Sequence, residues 1–258
     1  MENSKILSGL TSITFRELNP EKIIDLTVQA GLDGIEWGGD IHVPHGDIKT
    51  AREINKMTVD AGLDIIAYGS YFRLGNISSK SPDFQAVLDS AVALQASVIR
   101  VWAGDKGSAE SDAVYWNKVV DETKNVAKLA AEANVEIAFE SHLNSLTDTG
   151  ESSVKLLKAV NCENVKTYWQ PLPELSDEEN LKDIDLIFPW LRNVHVFQWL
   201  PEDYTRCPLS DGKEKWAKYF NKISNIKRDV YAIFEFVKDD SPEQFLTDAE
   251  TLKRIINN

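Results

Sequence analysis

The tightest constraint on this chain is a unit that returns eight times: a short, apolar, β-prone run followed by a helical segment. Asn19-Pro20 places a capping side chain before a proline suited to the first helical turn. Apolar residues then recur at helical spacing through Ile23, Ile24, Leu26 and Val28, and Gly31 stops the helix. Gly34-Ile35-Glu36-Trp37 follows as a strand. The junction repeats: Ala30-Gly-Leu-Asp-Gly-Ile35 resembles Ala61-Gly-Leu-Asp-Ile-Ile66. Ser81-Pro82 opens another helix, and a helical stretch runs from Ala113 to Ala133. Ser176 with Glu179 and Ser241-Pro242 with Gln244 both read as capping boxes.

The strands are expected at Ile6–Ile13, Gly34–Trp37, Leu63–Tyr68, Val98–Trp102, Val135–Glu140, Val165–Trp169, Val194–Phe197 and Val230–Phe236. A helix follows each. Parallel βα units in that number predict an α/β chain folded as a single (β/α)8 TIM barrel domain spanning 1–258. An open doubly wound sheet is the rival. No Gly-x-Gly-x-x-Gly follows the first strand, and functional-looking residues stand at most strand ends rather than at one crevice.

Strands buried on both faces should avoid carboxylates and imidazoles. Four of these strands nevertheless end near Glu140, Gln170, His195 and Glu235. Barrel topology brings such ends onto one rim, where a polar residue has usually been placed for chemistry. Two carboxylates, an imidazole and an amide oxygen make a cage for Mn2+, Mg2+, Co2+ or Zn2+. A divalent ion chelating adjacent carbonyl and hydroxyl oxygens acidifies the neighbouring C–H. Glu140 and Glu235 are the candidate acid/base pair. The bland alternative for either glutamate is an ion pair with Lys or Arg, and for His195 a satisfied core histidine.

A second cluster, Glu36-Trp37-Gly-Gly-Asp-Ile-His42-Val-Pro-His45-Gly-Asp47, follows the second strand. Asp47 reads as the cap of the next helix, and His42 reads equally well as a surface-loop residue. His45 is the better candidate for a substrate contact or proton relay. Arg100, inside a strand, must find anions, with Glu36 or Glu140 as candidates. Trp37, Trp102, Trp169 and Trp199 offer faces for the C–H side of a sugar, or pack the rim. Tyr71, Arg73 and Arg206 fall in rim loops. The expected substrate contacts are Glu36, Trp37, His45, Arg100, Trp102, His142 and Arg206.

The chain resembles the xylose isomerase-like barrel superfamily of sugar phosphate isomerases and epimerases over nearly its whole length. The segments that carry the likeness are Gly34 to Asp47, Arg100-Val-Trp-Ala-Gly104, Phe139-Glu-Ser-His142, Tyr168-Trp-Gln-Pro171 and Val194 to Trp199. The resemblance implies a metal held by Glu, Asp, His and Glu from strands five to eight. Glu140, His195 and Glu235 match three of these positions, and the two glutamates double as proton carriers in that pattern. Gln170 stands where the family has Asp, leaving the site one negative charge short. Gln170 then still binds through its carbonyl oxygen, His142 helps instead, or metal binding is weak or lost.

The activity implied is a divalent-metal-dependent isomerase or epimerase of a small sugar or sugar derivative. The alternatives are a keto-cyclitol (inosose-type) dehydratase on the same site, and a non-catalytic sugar-binding barrel with a decayed metal site. The partner is thus a small carbohydrate. A formal net charge of -13 argues against nucleic acid and against anionic lipid. Cys162 and Cys207 fit no zinc or redox spacing, no signal peptide is visible, and a cytoplasmic protein is expected. Self-association stays open.

Overall fold

The computed structural model describes residues 4–75 and 82–257. The strands are β1 (Ile6–Thr11), β2 (Gly34–Gly38), β3 (Asp64–Arg73), β4 (Val98–Trp102), β5 (Glu136–Phe139), β6 (Val165–Trp169), β7 (Leu191–Val196) and β8 (Val230–Phe234). The helices are α1 (Pro20–Ala30), α2 (Ile48–Asp60), α3 (Phe84–Leu94), α4 (Ala113–Glu132), α5 (Gly150–Val160), α6 (Asp177–Ile187), α7 (Lys213–Ile223) and α8 (Pro242–Ile256). The strands pair in parallel in chain order, and β8 closes onto β1 through five residue pairs from Ile6↔Val230 to Leu10↔Phe234. The architecture is a (β/α)8 TIM barrel.

The caps explain the alternation. Asn19 accepts from the Lys22 amide, and Gly31 ends α1 in the left-handed region at φ 64. Asp47 caps α2 and Asp112 caps α4. Ser176 and Glu179 form the reciprocal box. At α8 only half of the expected box exists: Ser241 caps the Gln244 amide, but the Gln244 side chain turns along the helix to Asp248. The helix expected from Ser81-Pro82 begins at Phe84 with Asp83 as its cap, and Ser81 lies outside the described residues.

Several strand ends differ from expectation. β1 stops at Thr11, because residues Ser12–Phe15 wind into a 3-10 turn. β3 runs on to Arg73 through a register shift between Gly69 and Phe72. Glu140, Gln170 and Glu235 are each the first residue beyond their strands, whereas His195 lies within β7.

Two apolar layers separate the faces of each strand. The larger layer joins strands to helices, with Ile35, Trp37, Ile99, Phe139, Trp169 and Val194 among its members. A small inner cluster of Ile66, Ala67, Val98, Ala138, Tyr168 and Ile233 fills the barrel. Side chains alternate between these layers, except at Ile66 and Ala67, where the β2–β3 register shifts. Residues in phase with the inner set therefore point to the axis: Glu36, Arg100, Trp102, Glu140, Gln170, His195 and Glu235. No helix among the described residues is long and apolar enough to cross a membrane.

Candidate functional site

The rim residues converge. Ligand-capable atoms of Glu140, His195 and Glu235 all lie within 4.8 Å of one another, and all three residues are buried. His195 Nδ1 stands 3.1 Å from Glu235 Oε2, 3.9 Å from Glu140 Oε1 and 3.0 Å from Gln170 Oε1. Four donors from β5 to β8 thus face one point. The other imidazole nitrogen, Nε2, is buried without a hydrogen-bond partner and points toward Glu36 Oε1 at 3.6 Å.

Beneath this point lies a layer of buried charge. Arg100 Nε donates to Glu36 Oε1 at 2.9 Å, and Nη1 donates to Glu140 Oε2. The indole N–H of Trp102 donates to that same Glu140 oxygen. Both residues of the Arg100–Glu36 pair are essentially inaccessible, so removing either partner would strand the other's charge in the interior. Gly69 makes room for it: a Cβ there would stand 2.9 Å from Arg100 Nη2 and 3.1 Å from Glu36 Oε1.

Burial opposes the charges of Glu36, Arg100, His195 and Glu235, and their neighbours overrule it. Burial would raise the Glu36 carboxyl, but Arg100 and His195 hold it down at about 2. Burial would lower His195, yet Glu235 and Glu36 raise it to about 10, so the imidazole carries a proton at neutral pH. Burial would likewise raise Glu235, but His195 and Arg100 keep it below the ordinary carboxylate range. Three carboxylates face one guanidinium, and the proton on His195 makes up part of the deficit. A divalent cation on the Glu140, His195, Glu235 and Gln170 donors would do so in its place, and the oxygen-rich donor set suits a hard or borderline ion. The residues present therefore fit a divalent metal.

Above the charges opens a cavity of about 290 Å³. Glu140, Gln170 and Glu235 reach its floor, and Tyr71, Trp102, Trp199 and Phe236 form walls. Trp102 is sandwiched: His142 stacks on one side with centroids 4.4 Å apart, and the Arg73 guanidinium lies 3.4 Å from the ring centroid. The loop after β7 folds back through a bridge between Trp199 and Arg206, and Tyr204 from that loop bonds Glu174 of the β6–α6 loop.

Of the expected substrate contacts, the structure brings Arg100, Trp102 and His142 to this cavity. It places the others elsewhere. Trp37 points out of the barrel, fully buried, and donates to Thr58 of α2. Strand alternation forces this, since Glu36 points in. Glu36 lies below the floor, against Arg100. His45 bonds the Tyr68 hydroxyl at 2.7 Å and does not line the cavity. Arg206 pairs with Asp240, and its guanidinium lies 4.5 Å from the Phe236 ring centroid, away from this cavity's lining. His42 is buried between Ser12 and Leu18. Trp169 packs against Trp216 and Tyr219 in the helix layer. Sequence reasoning missed Ile13, Phe197, Tyr204 and Phe236; the signal for Phe236 was its position directly after Glu235.

Residues 24–255 match the family model described as xylose isomerase-like TIM barrel. A 3-dehydroshikimate dehydratase of Bacillus anthracis is 26% identical over 215 residues, 76% of this chain and 73% of that protein. Among solved structures, the probable 3-DHS dehydratase AsbF of Bacillus anthracis superimposes with a TM-score of 0.80 at 19% identity, covering 96% of this chain and 99% of that one. The 3-keto-D-glucoside 4-epimerase YcjR of E. coli gives 0.75 at 13% identity, covering 98% and 100%. The D-psicose 3-epimerase of Clostridium cellulolyticum H10 gives 0.71 at 15%, covering 97% and 99%. At such identities the superpositions show the fold.

Proposed function

We propose, from the premise that the chain belongs to the xylose isomerase-like TIM barrel family, that it is an enzyme acting beside the carbonyl of a small polyhydroxylated ketone and eliminating water. Glu140, Gln170, His195 and Glu235 would hold a divalent metal. Bound there, the metal supplies Lewis-acid polarisation of adjacent carbonyl and hydroxyl oxygens.

The observation that carries this reading is the asymmetry of the two glutamates. Glu140 Oε2 accepts from both Arg100 and Trp102, so its lone pairs are committed and its second oxygen is left for the metal. Among the described residues nothing bonds Glu235 Oε1, and Glu235 lines the cavity. One carboxylate is an anchor; the other, held by His195 through Oε2, keeps Oε1 open to act as the base. Glu235 removes the C–H proton next to the carbonyl. The same carboxyl returns that proton to the hydroxyl on the following carbon, which departs as water while the C=C bond forms. The aromatic walls seat the C–H face of the substrate and exclude bulk water. The 26% identical dehydratase supports elimination.

Isomerisation or epimerisation by both glutamates is the second reading. It is favoured by Glu140 Oε1 and Glu235 Oε2 both lying near one point, 3.9 and 3.1 Å from His195 Nδ1. Incubation of the Mn2+-loaded protein with 3-dehydroshikimate, inososes and ketohexoses in D2O separates the two. Elimination gives an ultraviolet-absorbing enone or arene; epimerisation gives a deuterated isomer with no new chromophore. Glu235→Gln should lower turnover by about 10²–10⁴. Unchanged turnover in that variant would remove the one-base scheme. Absence of a Mn2+-dependent rise in Tm over EDTA would point instead to a binding barrel with a decayed metal site.

A further inference from the structure

A second cavity, of about 520 Å³, adjoins the first on the same rim. Ile13, Arg16 and Phe236 line both. The shared wall lies beside the base, because Phe236 directly follows Glu235 in the chain. We infer that the second cavity is a subsite for a neutral aromatic or apolar substituent on the substrate, attached next to the carbon that Glu235 deprotonates. The inference deepens the proposed reading and rests on it for the orientation of the substrate.

The wall is built at a cost. Phe236 adopts φ 63, a conformation rarely tolerated by a bulky residue, and Asp239 and Asp240 in the same loop are also left-handed. Such outliers persist only where surrounding contacts hold them, and they gather at ligand sites. Here the Phe236 amide donates to Thr14 Oγ1 at 3.1 Å, and the Arg206 guanidinium lies 4.5 Å from the ring centroid. The residue is thus held in place where it lines both cavities.

The lining decides the chemical class. Ile13, Phe15, Leu18, Phe236 and Pro242 give an apolar surface. The cations are already engaged: Arg16 with Asp40 at 2.6 Å and with the Tyr71 hydroxyl, and Arg206 with Asp240. Beyond these pairs, Glu17 adds a negative charge. An anionic substituent would meet carboxylates and no uncommitted guanidinium in this lining. A neutral ring would bury apolar area instead, and the volume is ample, since an apolar space of about 150 Å³ already admits benzene.

The test compares affinities of the Mn2+-loaded protein for methyl, phenyl and 4-carboxyphenyl β-D-glucopyranosides and for free phenol, by ligand-observed NMR. Phenyl glucoside should bind about tenfold more tightly than methyl glucoside, the effect of burying roughly 60 Å² of apolar surface. The carboxyphenyl compound should show no such gain. Leu18→Trp, which fills the second cavity, should erase the phenyl gain and leave methyl glucoside unchanged. Should that variant fold poorly, Glu17→Lys serves in its place, and it should rescue the carboxyphenyl compound. Equal binding of phenyl and methyl glucosides, or a phenyl gain that survives Leu18→Trp, overturns the inference. Phenol binding that is lost in Leu18→Trp, with no glucoside bound, keeps the aromatic subsite and rejects the sugar-like head. No aromatic probe binding at all rejects the subsite while leaving the metal-assisted elimination intact.

Discussion

Arg100→Met should cost the fold about 3–5 kcal/mol at pH 7, because it strands two buried carboxylates. Glu36 sets the pH range of the effect: burial would raise its carboxyl, but Arg100, with His195 and Tyr168, holds it down from 4.5 to about 2. The sign follows from the direction. A carboxyl depressed in the folded state stabilises above its unfolded value and loses that contribution as pH falls toward 2. The deficit of the variant should therefore be full at pH 7 and shrink below pH 4.5. Urea unfolding read by tryptophan fluorescence, in EDTA, measures it, provided the slopes of wild type and variant agree. A double-mutant cycle isolates the pair: Arg100→Met combined with Glu36→Gln should cost about 1–3 kcal/mol less than the sum of the single changes. A deficit under about 1 kcal/mol, a deficit that does not vary with pH, or strict additivity would refute the claim that this guanidinium holds the barrel's inner charges together.

Three further outcomes are expected. Gly69→Ala should destabilise by about 1–3 kcal/mol, since the new methyl would press on the Arg100–Glu36 pair, and thermal unfolding checks it. Asp183→Asn should stabilise at pH 7 by up to about 1 kcal/mol. Burial and Glu151 raise the Asp183 carboxyl from 3.8 to about 6, and its partial exposure screens the penalty. That penalty is absent below pH 3.8 and complete above about 6, so unfolding midpoints at pH 4 should coincide and those at pH 7 should differ. Trp37→Phe should remove the bond to Thr58, lower stability by about 1–2 kcal/mol and leave Mn2+ affinity unchanged in calorimetry, whereas His195→Ala should weaken Mn2+ binding.

Much of this molecule was legible because its signals are local. Asn19-Pro20, Gly31, Asp47 and the Ser176–Glu179 box each act within a few residues, and each marks a real helix end. Polar residues at the ends of β-prone runs stood out against an apolar background, so the converging set Glu140, Gln170, His195 and Glu235 could be named from the chain. Orientation was harder. Glu36 and Trp37 were both expected at the substrate, although adjacent strand residues must face opposite layers. Applying that rule alone would have sent Trp37 and Trp169 to the helices. The register shifts at Ile35/Glu36 and Gly69/Phe72 left no local mark. Arg206 and His45 sit in loops whose paths depend on distant partners, Asp240 and Tyr68, and no periodicity encodes those.

The alternation of side chains in β7 and β8 reaches into the laboratory. If either strand slipped by one position against its neighbours, His195 or Glu235 would swing out among the helices while the backbone ladder stayed nearly intact. Far-ultraviolet spectra would scarcely notice such an error. Uptake of a divalent ion would, so titrating a preparation with Mn2+ doubles as an audit of whether its staves were assembled in the correct order and phase.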